Sequence, residues 1–159
     1  MPRLVRNVHL YAGVALSRAV EIFRPPLSLG VRLVALDDDG GVFLVRHSYL
    51  PGLHLPGGAV DADETCREAA VREAAEEGGL VLPGPPGLFG VYRSGFGGRR
   101  DHTLLYVSRG ARQPQPRRAS LEILSARFYP LAALPDDMNR PTRERLAEVL
   151  DGVPPSETW

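Results

Sequence analysis

The chain has 159 residues, and its 19 basic side chains, all arginine, balance 19 acidic ones to a formal net charge of zero. Without lysine, neither a lysine Schiff base nor a P-loop of the Gly-Lys-Ser/Thr type can form, because both need an ammonium at a fixed place. Neutrality gives no footing for generic electrostatic binding of DNA or an anionic membrane, and the single cysteine, Cys66, excludes an internal disulfide, so a reducing, cytoplasmic setting is expected.

The first candidate element is an amphipathic helix from about residue 5 to 23, read as an N-terminal unit over 1–25. Arg3 and Arg6 precede the run Val8 to Leu16, His9 interrupts it, and Arg18, Glu21 and Arg24 follow. The run is too short to span a bilayer. Packing on the domain is the favoured role, with a dimer contact or a membrane-surface contact as alternatives. After the Pro25-Pro26 break, Val31 to Leu36 and Val42 to Val45 predict two strands joined by the turn Asp37-Asp38-Asp39-Gly40-Gly41. Those aspartates lack the alternating spacing and terminal Glu of a calcium loop.

A Pro/Gly-rich loop, His47 to Gly58, leads to Asp61-Ala-Asp-Glu-Thr, which is expected to open a helix running to about Glu77 and stopping at Gly78-Gly79. Leu88 to Arg93 and Thr103 to Ser108 predict strands around a Gly/Arg-rich loop, Ser94 to Asp101. Ala111 to Arg118 is expected to be an exposed connection. Glu122 to Tyr129 predicts a last strand and Thr142 to Leu150 a closing helix behind Pro141. One α/β sandwich with a mixed sheet follows, a domain over 26–152 with a short tail over 153–159.

The chemistry concentrates between Gly57 and Leu80. At 100 degrees per residue, Glu73 and Glu77 fall on nearly the same azimuth one turn apart, with Glu76 close by. Three carboxylates in one sector repel unless something positive sits among them. An all-oxygen set without His or Cys favours a hard cation, Mg²⁺ with Mn²⁺ as the alternative. Arg72 can hold a neighbouring carboxylate through its fixed fork, and Val71, Ala74 and Ala75 are expected on the opposite side, small enough to lie close to a sheet. The plainer alternative is a solvated acidic face with pairs such as Glu68 to Arg72.

The spacing Gly58, five residues, Glu64, seven residues, Arg72-Glu73, two residues, Glu76-Glu77, one residue, Gly79-Leu80 resembles the Nudix box of the Nudix hydrolase superfamily, and Leu55-Pro56-Gly57-Gly58 resembles its usual lead-in. Ala74 departs from the bulkier aliphatic usual there. The resemblance implies a Nudix-type α/β/α sandwich that hydrolyses a diphosphate linked to another moiety using divalent cations. Glu73 and Glu77 would be the principal metal ligands, with Glu76 beside them and the Gly57 carbonyl as a backbone ligand. Arg72 would orient the carboxylates and Glu64 would buttress the loop and helix. Glu73, Asp101 and Glu122 are the candidates for the general base.

Substrate grip must come from outside the box. Arg46, Arg99 and Arg100 suit bidentate phosphate contacts, and Tyr49 or Phe96 suits stacking on a base. His47, His54 and His102 are expected to hydrogen-bond rather than ligate metal. The expected partner is a nucleotide-like diphosphate, with a homodimer as the assembly expected by resemblance. A non-catalytic nucleotide-sensing module and an RNA 5′-end pyrophosphohydrolase are the competing functions, and an isomerase of prenyl diphosphates is disfavoured because no motif for it stands out. Residues 61 to 77 sum to minus five and residues 93 to 118 to plus six, so neutrality is the sum of two opposed regions.

Overall fold

A run such as Val31 to Leu36, apolar except for Arg32 and without polar alternation, belongs in mid-sheet with both faces covered. The computed structural model describes residues 27–94 and 100–159. The helix expected over 1–25, together with Phe96 and Arg99, lies outside the described residues. The apolar run sits in β1 (Leu27–Leu36), followed by β2 (Gly41–His47), α1 (Cys66–Gly78), β3 (Gly87–Ser94), β4 (Arg100–Arg109), β5 (Ile123–Pro130) and α2 (Arg140–Asp151). These strands form one five-stranded sheet in the order β3-β4-β1-β2-β5. β1 runs parallel to β4 and every other neighbouring pair is antiparallel, so the sheet is mixed, as expected.

Alternate residues of β1 feed two separate cores. Val31, Leu33 and Ala35 join Phe43, Val45 and the α1 residues Ala69, Ala70 and Ala74 on one face. Val34 and Leu36 join Val42, Leu44, Leu105 and Leu146 of α2 on the other. The result is an α/β/α sandwich in which the central strand is buried on both sides. Among the described residues, no helix is long and apolar enough to cross a membrane.

Three elements start three or more residues from where the sequence places them. The helix begins at Cys66 rather than Asp61, because Thr65 is its N-cap: the Thr65 hydroxyl accepts from the Glu68 amide while the Glu68 carboxylate accepts from the Thr65 amide, a capping box. β1 and β4 each start earlier than predicted, since Leu27↔Arg100 through Thr103 pair backbone to backbone whatever their side chains. Asp101 therefore lies in a strand, not in a flexible loop. Val71 and Ala75 are exposed; the stripe against the sheet is Ala69, Ala70, Ala74 and Gly78. That stripe places Glu73 and Glu77 at its margin, half sheltered, instead of opposite it.

The segment after α2 docks instead of trailing. Thr158 bridges to Arg93 of β3, and Trp159 packs edge-on against Tyr92. The buried guanidinium of Arg145 pairs with Glu148 at 2.7 Å and donates to the Thr158 carbonyl at 2.9 Å.

Close packing of α1 rests on Gly78, where an added Cβ would lie 2.6 Å from Cε1 of the fully buried Phe43. Gly78→Ala is expected to destabilise the fold by about 1–3 kcal/mol, read by chemical denaturation. Gly84→Ala, which meets nothing within 4 Å, should stay within about 0.5 kcal/mol of the parent.

Candidate active site

β1 and β2 touch through a single register pair, Leu36↔Val42, and then splay apart. The loop between β2 and α1 fills the gap. His54 exchanges two backbone bonds of 2.9 Å with Val45 of β2, and the amides of Leu33 and Val31 in β1 donate to the carbonyls of Pro56 (3.0 Å) and Gly58 (2.9 Å). Gly57 adopts φ 144°, and a Cβ there would lie 2.1 Å from the Val31 carbonyl oxygen. A Cβ on Gly58 would lie 2.2 Å from Oε1 of Glu73. Glycine is thus required at Gly57 by its φ and by close approach to the strand backbone, while at Gly58 a side chain would displace the Glu73 carboxylate.

Around this loop Glu64, Glu73, Glu76 and Glu77 divide into two groups. Arg72 holds three of them: Nε and Nη2 donate to the two oxygens of Glu64 at 3.1 and 2.7 Å, and Nη1 donates to Glu73 at 2.9 Å and Glu76 at 3.3 Å. Its Nη2 also donates to the Ala59 carbonyl at 3.0 Å, tying the loop to the helix. This set of bonds, Glu64 first, raises the Arg72 pKa, and the Arg72 fork in turn lowers that of Glu64. Glu76 is 61% exposed, against 14% for Glu73.

Glu77 is outside that group. Its Oε2 accepts from the Gly57 amide at 2.9 Å, its Oε1 lies 3.5 Å from Nε2 of His47, and its side chain is 13% exposed. Burial pushes its pKa up to about 7, against the opposing pull of the Gly57 amide and Arg32. His47 is no cation to balance it. Burial, with His54 and Arg32 nearby, pulls the His47 pKa down to about 4, and both ring nitrogens are buried without a hydrogen-bond partner.

The remaining predicted residues are dispersed. Arg46 is paired with Asp137, and Tyr49 is 66% exposed with its ring 5.3 Å from that of His47. Asp101 accepts from the Ser28 hydroxyl, while Glu122 is exposed just ahead of β5 with its carbonyl accepting from the Ser48 amide at 2.9 Å. Arg100 opens β4 opposite Leu27. Of the histidines, His54 hydrogen-bonds as expected, to the Pro51 carbonyl at 2.9 Å and to Asn139; His47 does not, and neither does Nδ1 of His102.

Sequence reasoning missed Arg32, whose guanidinium donates to the Gly57 carbonyl. The available signal was a charged residue inside an otherwise apolar, doubly covered strand. Among the described residues, no three His, Cys, Asp or Glu side chains already converge as a metal-ligand set. A mostly apolar cavity of about 690 Å³ is bounded by Val71, Leu80, Val81 and Pro85, with Arg67 and Arg72 also in its lining.

A family model described as NUDIX domain matches residues 26–150. An ADP-ribose pyrophosphatase of Methanocaldococcus jannaschii is 37% identical over 75 residues, 45% of this chain and 44% of that protein. A Bacillus subtilis protein provisionally named an 8-oxo-dGTP diphosphatase is 42% identical over 50 residues, 31% of this chain and 34% of that protein. The chain therefore spans less than half the length of the curated relatives it matches. The crystal structure of a MutT NUDIX hydrolase from Burkholderia pseudomallei superposes with a TM-score of 0.65 at 25% identity, covering 78% of this chain and 98% of that one.

A raised carboxyl pKa in the folded state means that the folded protein binds more protons than the unfolded one between about pH 4.5 and 7. The stabilisation from neutral Glu77 is therefore complete below pH 4.5 and lost as pH rises through 7. In EDTA, Glu77→Gln should be more stable than the parent at pH 8, by about 1–3 kcal/mol, with the gap closing at pH 4. Denaturation curves at the two pH values check this.

Proposed function

This chain belongs to the Nudix hydrolase family, and on that footing we propose that it is a divalent-cation-dependent pyrophosphohydrolase. Its substrate is a nucleoside diphosphate derivative or a nucleoside triphosphate. The observation that carries the reading is the pairing of Glu73 and Glu77 with the Gly57-Gly58 loop: two half-sheltered carboxylates face a backbone turn, and burial pushes the pKa of one of them up. The pyrophosphatase and diphosphatase names of the two curated relatives support the same bond class.

The donor set fits a hard cation. Glu73, Glu77 and the Gly57 carbonyl offer oxygen only, with Glu76 at the exposed rim, and Mg²⁺ or Mn²⁺ suits such ligands. When bound, the cation neutralises phosphate oxygens and lowers the pKa of the attacking water. The chain's own residues do the rest. The Gly57 amide fixes one oxygen of Glu77, and Arg72 fixes one oxygen of Glu73 and anchors Glu64 and Ala59 behind it. Preset carboxylates avoid reorganisation during reaction.

Water adds to one phosphorus, the bridging P–O bond breaks, and a carboxylate accepts the proton of the water. Glu73, beside Gly58, is the best placed of the three candidate bases, since Asp101 is engaged by Ser28 and Glu122 is exposed. Tyr49, exposed next to His47, is the described ring available to stack a base.

Incubation with nucleoside triphosphates, sugar nucleotides, ADP-ribose and dinucleoside polyphosphates, with and without Mg²⁺, should show cation-dependent turnover of at least one member. Glu77→Gln should lower kcat by about 100-fold or more with the circular dichroism spectrum retained. Full activity in that variant overturns the assignment; tight nucleotide binding without products instead supports a sensing module.

A second expectation concerns Arg72. Arg72→Lys keeps a positive charge but loses the fork that spans Glu64, Glu73 and Glu76, so kcat should fall by about tenfold or more while a surface control, Arg112→Lys, stays at the parent rate in the same assay.

A further inference from the structure

Several of the guanidinium groups near the acidic residues are already engaged, and Arg117 acts on Glu77 only through space. Arg72 uses both Nη atoms and Nε on Glu64, Glu73, Glu76 and Ala59. Arg46 is bound to Asp137, and Arg145 is buried in the second core against Glu148, Tyr92 and Trp159. Arg32 differs. It projects from the central strand, its Nη1 donates to the Gly57 carbonyl and, at 3.5 Å, to the Leu55 carbonyl, and among the described residues its Nε and Nη2 have no acceptor. Among charged groups, Glu77 and then Glu73 exert the largest electrostatic pull on it, followed by Tyr49.

A guanidinium in that position is fixed at one corner and open along an edge. The fork matches the oxygens of a phosphate, and a charge-assisted, two-point contact is worth more in a half-buried site than on the surface. A purely structural tie to two carbonyls does not require a permanent charge inside an apolar strand, where burial opposes it.

We infer that Arg32 is the anion clamp of this site: Nη1 stays on the Gly57 loop, while the Nε/Nη2 edge takes a phosphoryl oxygen of the diphosphate and holds it beside Glu73 and Glu77. This deepens the proposed function and rests on it. Arg32 is accordingly a substrate-binding residue that neither the box pattern nor the arginine-rich segment after β3 pointed to.

The test uses the full chain and inorganic pyrophosphate as probe, with binding measured by calorimetry in Mg²⁺ for the parent, Arg32→Lys and Arg32→Gln. Pyrophosphate affinity is expected to fall about tenfold or more in both variants, since lysine keeps the charge and loses the fork. Mn²⁺ affinity, read by electron paramagnetic resonance without pyrophosphate, should not weaken. If Arg32→Gln fails to fold, Arg32→Lys decides alone. Parent-like pyrophosphate affinity in Arg32→Lys overturns the inference, as does a loss matched by an equal loss of Mn²⁺ binding, which marks a role in holding the loop. Hydrolysis of the nucleotide panel is a separate readout. A chain that turns over nucleotides but binds pyrophosphate equally well as Arg32→Lys keeps its function and loses this clamp.

Discussion

The backbone bonds that pin residues 54–58 between the splayed strands are what the rest of the site depends on. β1 and β2 part after one register pair, so the amides of Val31 and Leu33 would be left without partners in the middle of a buried sheet. A buried donor without an acceptor costs about 1–3 kcal/mol, and the Pro56 and Gly58 carbonyls remove that penalty twice over. The same two bonds deliver Gly57 and Gly58 to the margin of α1. Position and stability therefore come from one device, in which a loop behaves locally as a strand without strand dihedrals throughout.

With the loop in place, the charges sort themselves. Four box carboxylates crowd the region, and a single guanidinium serves Glu64, Glu73 and Glu76. Glu77 receives an amide dipole and a neutral imidazole edge instead. That asymmetry leaves one buried carboxylate without an ion-pair partner, an imbalance that the proposed cation would relieve. Arg32 relieves it only in part, because its bond is to the Gly57 carbonyl and not to the carboxylate.

The fold was largely readable from pattern. The apolar run of β1, the Gly78-Gly79 stop and the spacing from Gly58 to Leu80 are local signals, and each fell close to its structural counterpart; the Thr65-x-x-Glu68 cap is equally local but was not read, so the helix start was misplaced. What stayed hidden depends on distant pairing. Arg46 finds Asp137 across 91 positions, β4 begins among polar residues because Leu27 and Ser28 pair with them, and the last residues dock on β3 through Arg93. The exposure of Val71 and Ala75 was missed because helical geometry sets azimuths relative to one another, while the direction of the sheet is fixed only by packing. Arg32 was passed over for a similar reason: in sequence it is an interruption of a strand, and its place beside Glu77 arises only when the loop closes over β1.

The opposed charges of residues 61–77 and 93–118 take on a more specific meaning in this setting. Within the acidic block Arg72 bridges Glu64, Glu73 and Glu76 but leaves the block well short of neutral, and Glu77 sits outside that network, against the glycine turn. Anomalous diffraction from crystals soaked in Mn²⁺ tests this directly. The strongest peak is predicted between the carboxylates of Glu73 and Glu77 and the carbonyl of Gly57. A strongest peak elsewhere, such as the Asp37–Asp39 turn, or no peak beside Glu77 at Mn²⁺ concentrations that support turnover, would contradict it.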